Sequence, residues 1–126
     1  MTFPENLKYT KDHEWVRVEG DTGVVGITDY AQGELGDVVF IELPAKGKVV
    51  KQGEGFGTIE AVKAVSDLYA PVSGEVVDIN TNLEKSSELV NREPYSGGWM
   101  IKLKIKDKNE LNNLLDVKKY RELIGK

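Results

Sequence analysis

The sequence predicts a mainly β fold with approximate internal two-fold symmetry and a short helical tail. Three observations lead there. The pattern Pro-x-x-Gly-x-Val-Val occurs twice, in Pro44-Ala45-Lys46-Gly47-Lys48-Val49-Val50 and in Pro71-Val72-Ser73-Gly74-Glu75-Val76-Val77, at an offset of 27 residues. Alternation of apolar and polar residues, the mark of strands with one face on a core, recurs in several segments. Beyond Lys106 the alternation gives way to apolar residues at helical spacing.

Each Pro-x-x-Gly reads as a turn between strands, because proline fixes φ and glycine accepts positive φ. Extended backward, the repeat pairs Val38 with Val65 and Ile41 with Leu68 as core positions, and makes Gly36 the counterpart of Lys63. That register predicts turns at Gly36 and Lys63 on opposite ends of the domain. Trp15-Val16-Arg17-Val18-Glu19 alternates and stops at Gly20-Asp21-Thr22-Gly23, a hairpin turn into Val24-Val25-Gly26-Ile27. The run from Trp99 to Lys106 alternates strictly, with its lysines on a wet face. Thr28 to Leu35 predicts one short helical connection, and Glu84 to Val90 another, stopped before Pro94. In the tail, Asn109 is the expected cap of a turn over Glu110 to Leu115. Asp116 is the expected cap of a helix carrying Val117, Tyr120, Leu123 and Ile124 and ending at Gly125. Packed on the edge or end of the sheets, these helices would also suppress edge-to-edge aggregation.

Composition excludes several functions. A chain of 126 residues is long enough to bury a core as one domain, with a β core at about 9–106 and a helical segment at about 109–125. The absence of cysteine removes disulfides, thiol nucleophiles and zinc-thiolate sites. A single histidine, His13, leaves no histidine-cluster metal site and makes a serine–histidine triad a poor expectation. The net charge of -4, from 17 basic and 21 acidic residues, argues against nucleic acid as a partner. The apolar runs are too short to cross a membrane. The residues from Met1 to Lys11 show neither a secretory nor a transit pattern, so the expectation is the bacterial cytoplasm, or the mitochondrial matrix if a presequence was removed.

Few segments look chemical. Gly53-Glu54-Gly55-Phe56-Gly57 has the glycine content of a phosphate loop, but no Gly-Lys-Ser/Thr follows. These glycines read as the start of a hairpin where backbone crowds backbone. Asp12-His13-Glu14 precedes a strand and reads as ordinary loop chemistry. The informative window is Gly57-Thr58-Ile59-Glu60-Ala61-Val62-Lys63-Ala64-Val65. Its apolar phase slips beside Lys63, which is what a tight turn produces, and alternation resumes toward Tyr69-Ala70. An ammonium on the tip of a rigid hairpin is accessible to another enzyme, hence a site for covalent modification. Most lysines are simply solvated, and Lys102, also flanked by apolar residues, is a surface strand lysine; the setting of Lys63 distinguishes it.

Two halves with Pro-x-x-Gly turns and a lysine at a hairpin tip resemble the biotinyl/lipoyl carrier domains. Biotin carriers flank the lysine with methionines, whereas Val62 and Ala64 stand here; lipoyl sites carry an acid three positions earlier, where Glu60 stands. Further segments carry a closer resemblance. Tyr9-Thr10-Lys11-Asp12-His13-Glu14-Trp15, Gly26-Ile27-Thr28-Asp29-Tyr30-Ala31, Leu35-Gly36-Asp37, Glu60-Ala61-Val62-Lys63-Ala64 and Asn91-Arg92-Glu93-Pro94-Tyr95 with Gly98-Trp99 are similar to the H proteins of the glycine cleavage system. The resemblance spans nearly the whole chain.

That resemblance implies a two-sheet sandwich or flattened barrel, a monomer, and a carrier rather than an enzyme. It implies lipoate in amide linkage on Lys63, with Glu60 serving recognition of the modification site. It assigns Glu14 and Asp67, with Ser66 and Tyr69 nearby, to docking of the loaded arm, and so places Glu14 and Asp67 on the side bearing Lys63. The implied partners are a pyridoxal-phosphate glycine decarboxylase, a folate-dependent aminomethyltransferase, a flavin dihydrolipoyl dehydrogenase and a lipoate-attaching enzyme. The arm would carry an aminomethyl group between the first two and electrons to the third. A lipoyl donor to 2-oxo acid dehydrogenases, or an unmodified interaction domain of the same fold, are the alternatives the Lys63 window leaves open.

Overall fold

The computed structural model describes residues 1–126. Nine strands form two antiparallel sheets. The larger is built from β1 (Lys8–Tyr9), β2 (Glu14–Glu19), β3 (Thr22–Ile27), β9 (Ile101–Ile105), β8 (Gly74–Ile79) and β5 (Val49–Val50), in that spatial order. The smaller has three strands, β4 (Val38–Glu42), β6 (Gly55–Ala61) and β7 (Val65–Tyr69), with β6 in the middle. Both sheets are open, so the architecture is a sandwich and not a barrel.

The main core lies between the sheets. Val16 and Val25 of the larger sheet meet a cluster that includes Ile41, Ile59 and Leu68 of the smaller. A second cluster forms on the other face of the larger sheet. There Trp15 and Val24 are covered by Phe3, Leu7, Tyr9 and Tyr120. Strand β2 is therefore buried on both faces near its start: Glu14, Trp15 and Val16 are all inaccessible. Trp15 donates its indole N–H to the carbonyls of Ile27 (2.9 Å) and Pro94 (3.0 Å), which satisfies its polar atom inside the cluster.

The 27-residue repeat has a structural meaning at β5 and β8. Val49 pairs with Glu75 and Val50 with Gly74, a register that the repeat maps onto itself, so a local two-fold axis runs through this strand pair. The symmetry does not extend to β4 and β7: Val38, Ile41 and Leu68 are buried as expected, but Val65, expected in the core as the counterpart of Val38, is exposed. Both strands are antiparallel to β6 and begin at the same end of it, Val38 beside Ala61 and Val65 beside Glu60. The expectation that Gly36 and Lys63 mark opposite ends is thus wrong. The turn at Gly36 lies against the Lys63 tip, where the Val62 N–H donates to the Asp37 carbonyl at 3.1 Å.

The helices follow their caps. Helix α1 (Asp29–Leu35) starts at Thr28, whose hydroxyl accepts from the Ala31 N–H at 3.1 Å. Helix α3 (Val117–Ile124) starts at Asp116, whose carboxylate accepts from Lys119, and stops at Gly125 in the left-handed region at φ 73°. It packs at the β1 edge, where Tyr9 bridges to Leu115 and stacks on Tyr120 at 4.6 Å between ring centres. Two expectations need correction. Asp107, and not Asn109, caps the first turn of the tail, accepting from the Asn109 N–H at 2.9 Å, so the 3₁₀ turn runs over Lys108–Asn113. The expected helix at Glu84 to Val90 is split into a 3₁₀ turn at Thr81–Glu84 and α2 (Leu89–Arg92). Between them Ser87 donates its hydroxyl to the Val38 carbonyl at 3.0 Å, tying the linker to β4.

Gly57 is where backbone does crowd backbone. A Cβ there would overlap the Glu42 carbonyl oxygen across the β4–β6 pair. Gly57→Ala should lower the unfolding free energy by about 2 kcal/mol or more, because the atom met is main chain and cannot swing away. Urea unfolding of the two proteins measures it.

Candidate functional site

The β6–β7 hairpin carries Lys63 on its tip. Ala61 is the last buried residue of β6, and the hairpin closes where the Ala61 N–H donates to the Ala64 carbonyl at 2.7 Å. Neither Val62 nor Lys63 takes a positive φ, so the turn is unstrained. Val62 is 72% exposed, and Lys63 and Ala64 are exposed beside it. The three ion pairs of the molecule, Arg17–Glu19, Lys46–Asp78 and Lys108–Asp21, leave the Lys63 ammonium free. The phase slip in the sequence is this turn.

Rigidity comes from behind the tip. Asn91 of α2 accepts from the Val38 N–H at 2.9 Å and donates to the Gly36 carbonyl at 2.8 Å and to the Gln32 side chain at 3.1 Å. The segment so held is the one whose Asp37 carbonyl receives Val62. Nothing in the sequence pattern marks Asn91 for this work; it joins groups more than fifty positions apart.

Glu60 stands exposed near the end of β6, in register with Phe40 on one side and Val65 on the other. Farther along β7, Ser66 and Asp67 are exposed and line a cleft with Glu14, His13, Tyr30 and Glu34. Ile27, Leu35, Ile59 and Leu68 give that cleft apolar walls. Tyr69 meets Glu14 on the neighbouring hollow. The structure therefore brings Glu14, Ser66, Asp67 and Tyr69 together along β7, which runs directly from the tip.

Glu14 is the unusual member. It is 2% exposed, and no cation pairs with it. One carboxylate oxygen accepts from the Thr10 hydroxyl at 2.5 Å and the other from the Tyr69 N–H at 3.2 Å. Burial pushes its pKa up to about 7, opposed by those two hydrogen bonds. Thr10 positions the carboxylate, since its hydroxyl oxygen also accepts from the Glu14 N–H at 3.0 Å. That role is legible only from the turn geometry. His13 is not part of this pairing. It takes a positive φ of 73°, and its Nδ1 shares a hydrogen bond with the Tyr120 hydroxyl at 2.9 Å, with burial pulling its pKa down.

The site is thus an exposed lysine on a stiff hairpin, followed by a cleft holding a buried carboxylate that no cation pairs. Comparison with known proteins gives the family. The family model described as "Glycine cleavage H-protein" matches residues 7–126. The chain belongs to the glycine cleavage H-protein family. It is 57% identical to the glycine cleavage system H protein of Staphylococcus carnosus and 54% identical to that of Bacteroides fragilis, each over 99% of both chains. A crystal structure of a glycine cleavage system H protein from Mycobacterium marinum superposes with a TM-score of 0.89 at 36% identity, covering 98% of this chain and 100% of that one. As a member of the family, the chain is a lipoyl carrier component of the glycine cleavage system and not an enzyme. Both of these curated relatives are bacterial, and no helix is long and apolar enough to cross a membrane.

The buried carboxyl has a measurable signature. A carboxyl whose pKa rises from 4.5 to about 7 on folding contributes most to stability when protonated. Its contribution is complete below pH 4.5 and is lost as pH rises through 7, a change on the order of 3 kcal/mol. Glu14→Gln should flatten that fall, so urea unfolding at pH 5 and pH 8 should differ less in the variant than in the wild type.

Proposed function

We propose that Lys63 bears lipoate in amide linkage and that the arm shuttles the aminomethyl group from glycine decarboxylase to the folate-dependent aminomethyltransferase, and electrons to dihydrolipoyl dehydrogenase. The observation that carries this reading is the free ammonium on an unstrained, braced tip. Amide formation removes the lysine charge. The resulting arm extends ~14 Å by ordinary chain geometry. Strand β7 advances about 3.3 Å per residue, so the cleft at Asp67, four positions beyond Lys63, lies within the arm's sweep. Lipoate would supply the sulfur chemistry that a chain without cysteine lacks.

The chain's own part is to present, hold and shield. Glu60 helps the lipoate-attaching enzyme recognise the site. The apolar walls of the cleft take the hydrocarbon of the arm and exclude water. Glu14 and Asp67 offer carboxylates to the cationic amine of a loaded arm, with Ser66 and Tyr69 beside them. Glu14 suits this because its carboxylate lacks a positive partner until the cargo brings one. The protein acts as a monomeric single domain, residues 1–126, in the bacterial cytoplasm, a placement its bacterial relatives support.

Two measurements test the reading. Intact mass of protein incubated with a lipoate-attaching enzyme should rise by one lipoyl increment, and Lys63→Ala should abolish the gain; an unchanged wild-type mass overturns the assignment. In the loaded protein, Glu14→Gln and Asp67→Asn should shorten the lifetime of the cargo several-fold. For Glu14 the protection should be strongest above pH 7, where the carboxyl is ionised, and should fade toward pH 6. Equal lifetimes in wild type and both variants would remove the protective cleft.

A further inference from the structure

Beside the tip, β4 departs from regular pairing. The register of β4 on β6 shifts between Val38 and Phe40, a β-bulge that places two consecutive large apolar residues in solvent. Val38 and Ile41 stay in the core at 4% and 8% exposure, whereas Val39 and Phe40 stand out at 52% and 55%. A bulge re-aims side chains at a cost in pairing, which is why it marks functional surfaces. Of the nine exposed large apolar residues in the molecule, four lie at or near the tip: Val39, Val62 and Val65 line one hollow with Lys63, and Phe40 stands opposite Glu60. Phe40, Glu60 and Val65 form one cross-strand row, and directly opposed residues share a face of the sheet. The next row is Glu42, Thr58 and Asp67.

This face is apolar and one-signed in charge. No basic residue occurs from Asp29 to Ala45, and Lys63 is the only one from Gln52 to Glu84. Apart from the acceptor Lys63 itself, no cation lies on the three-stranded sheet or its tip. A complementary partner has an apolar hollow with a cationic rim.

We propose that the Val39–Phe40 bulge, with Glu60 and Val65, is the docking surface for the enzyme that acylates Lys63. The choice of occupant follows from reach. An enzyme served by the finished arm acts ~14 Å from the backbone and need not touch the tip. The acylating enzyme must bring an activated acyl carbon to Nζ itself, so its surface has to rest on the residues around the tip. With an acyl adenylate, made from lipoate and ATP with release of pyrophosphate, the neutral Nζ attacks the carbonyl carbon. The C–N bond forms, the C–O bond to phosphorus breaks with its electron pair leaving on AMP, and the nitrogen gives one proton to solvent. Phe40, exposed and large, is the anchor of the contact, and Glu60 faces the cationic rim. This inference rests on Lys63 being the acyl acceptor.

The test uses the unmodified full chain, purified lipoate–protein ligase, lipoate and ATP, read by intact mass over time. Phe40→Ser should raise KM for the carrier by about tenfold or more, as loss of an aromatic anchor does, with kcat within about twofold. Val65→Ser should raise it less, and Leu123→Ser, comparably exposed at 52% on α3, should leave it unchanged. Both sheet variants remove exposed side chains, so their thermal midpoints should match wild type. Once lipoylated by prolonged incubation and reduced to the dithiol with a phosphine, Phe40→Ser should be reoxidised by dihydrolipoyl dehydrogenase and NAD+ at near the wild-type rate. A KM for Phe40→Ser equal to wild type, or an equal rise for Leu123→Ser, overturns the docking surface while leaving Lys63 as acceptor. A wild-type chain that gains no mass overturns both. A concentration-dependent dimer in sedimentation that Phe40→Ser abolishes would give the patch to a second copy instead.

Discussion

Strand β6 is held on both edges, and the register it keeps with β4 and β7 decides where each site residue stands. A slip of one residue in either pairing would exchange inward and outward side chains along the whole strand. It would send Ile59 out of the core and Glu60 into it. The register is fixed from inside by Ile41, Ile59 and Leu68 packing between the sheets. It is fixed from the backbone by Gly57, whose missing side chain lets Glu42 come close. The position of the Lys63 amine is thus a consequence of burial several residues away, transmitted along a strand that has no freedom to shift. The bulge in β4 is tolerated because it lies at the end of this pairing, where one extra residue changes the outer face and leaves the core contacts intact.

The second determinant is an electrostatic imbalance. Glu14 is buried by the double-sided packing of β2, with Trp15 fixed to one side and Val16 to the other. It receives one hydroxyl and one backbone N–H, too little to match the solvation it has lost. Burial of this kind is retained at the expense of stability, and the cleft beside it has apolar walls and no cation of its own. Such a carboxylate discriminates by charge: a primary ammonium gains what water no longer provides, and a neutral or anionic group gains nothing. On the proposed function, arm and cleft are complementary in reach and in sign.

Much of this was legible in the sequence, for identifiable reasons. The Lys63 turn was readable because solvent exposure interrupts an alternation that burial enforces on Ile59 and Ala61. The caps at Thr28 and Asp116 were readable because each is a short-range interaction, complete within three residues. The repeat marked the turns beside β5 and β8 but misled about Gly36, since equal spacing along the chain does not specify which strand lies between two others. The cap at Asp107 and the break at Ser87 were missed because each depends on a competing acceptor or donor of similar type nearby. Asn91, Thr10 and Phe40 were invisible as functional residues. Their partners are set by tertiary packing, turn geometry and a bulge, none of which leaves a periodic trace.

The turn at Val62 and Lys63 needs neither glycine nor proline and adopts no left-handed conformation. Folding consequently imposes almost no demand on which side chains occupy the tip. Apart from the Val62 N–H bond to the Asp37 carbonyl, which any residue but proline can make, the fold sets few terms for the side chains at the bend. The stiffness of the bend is borrowed from β4 and α2, through the Asp37 carbonyl and the Asn91 side chain, and would not travel with the hairpin alone.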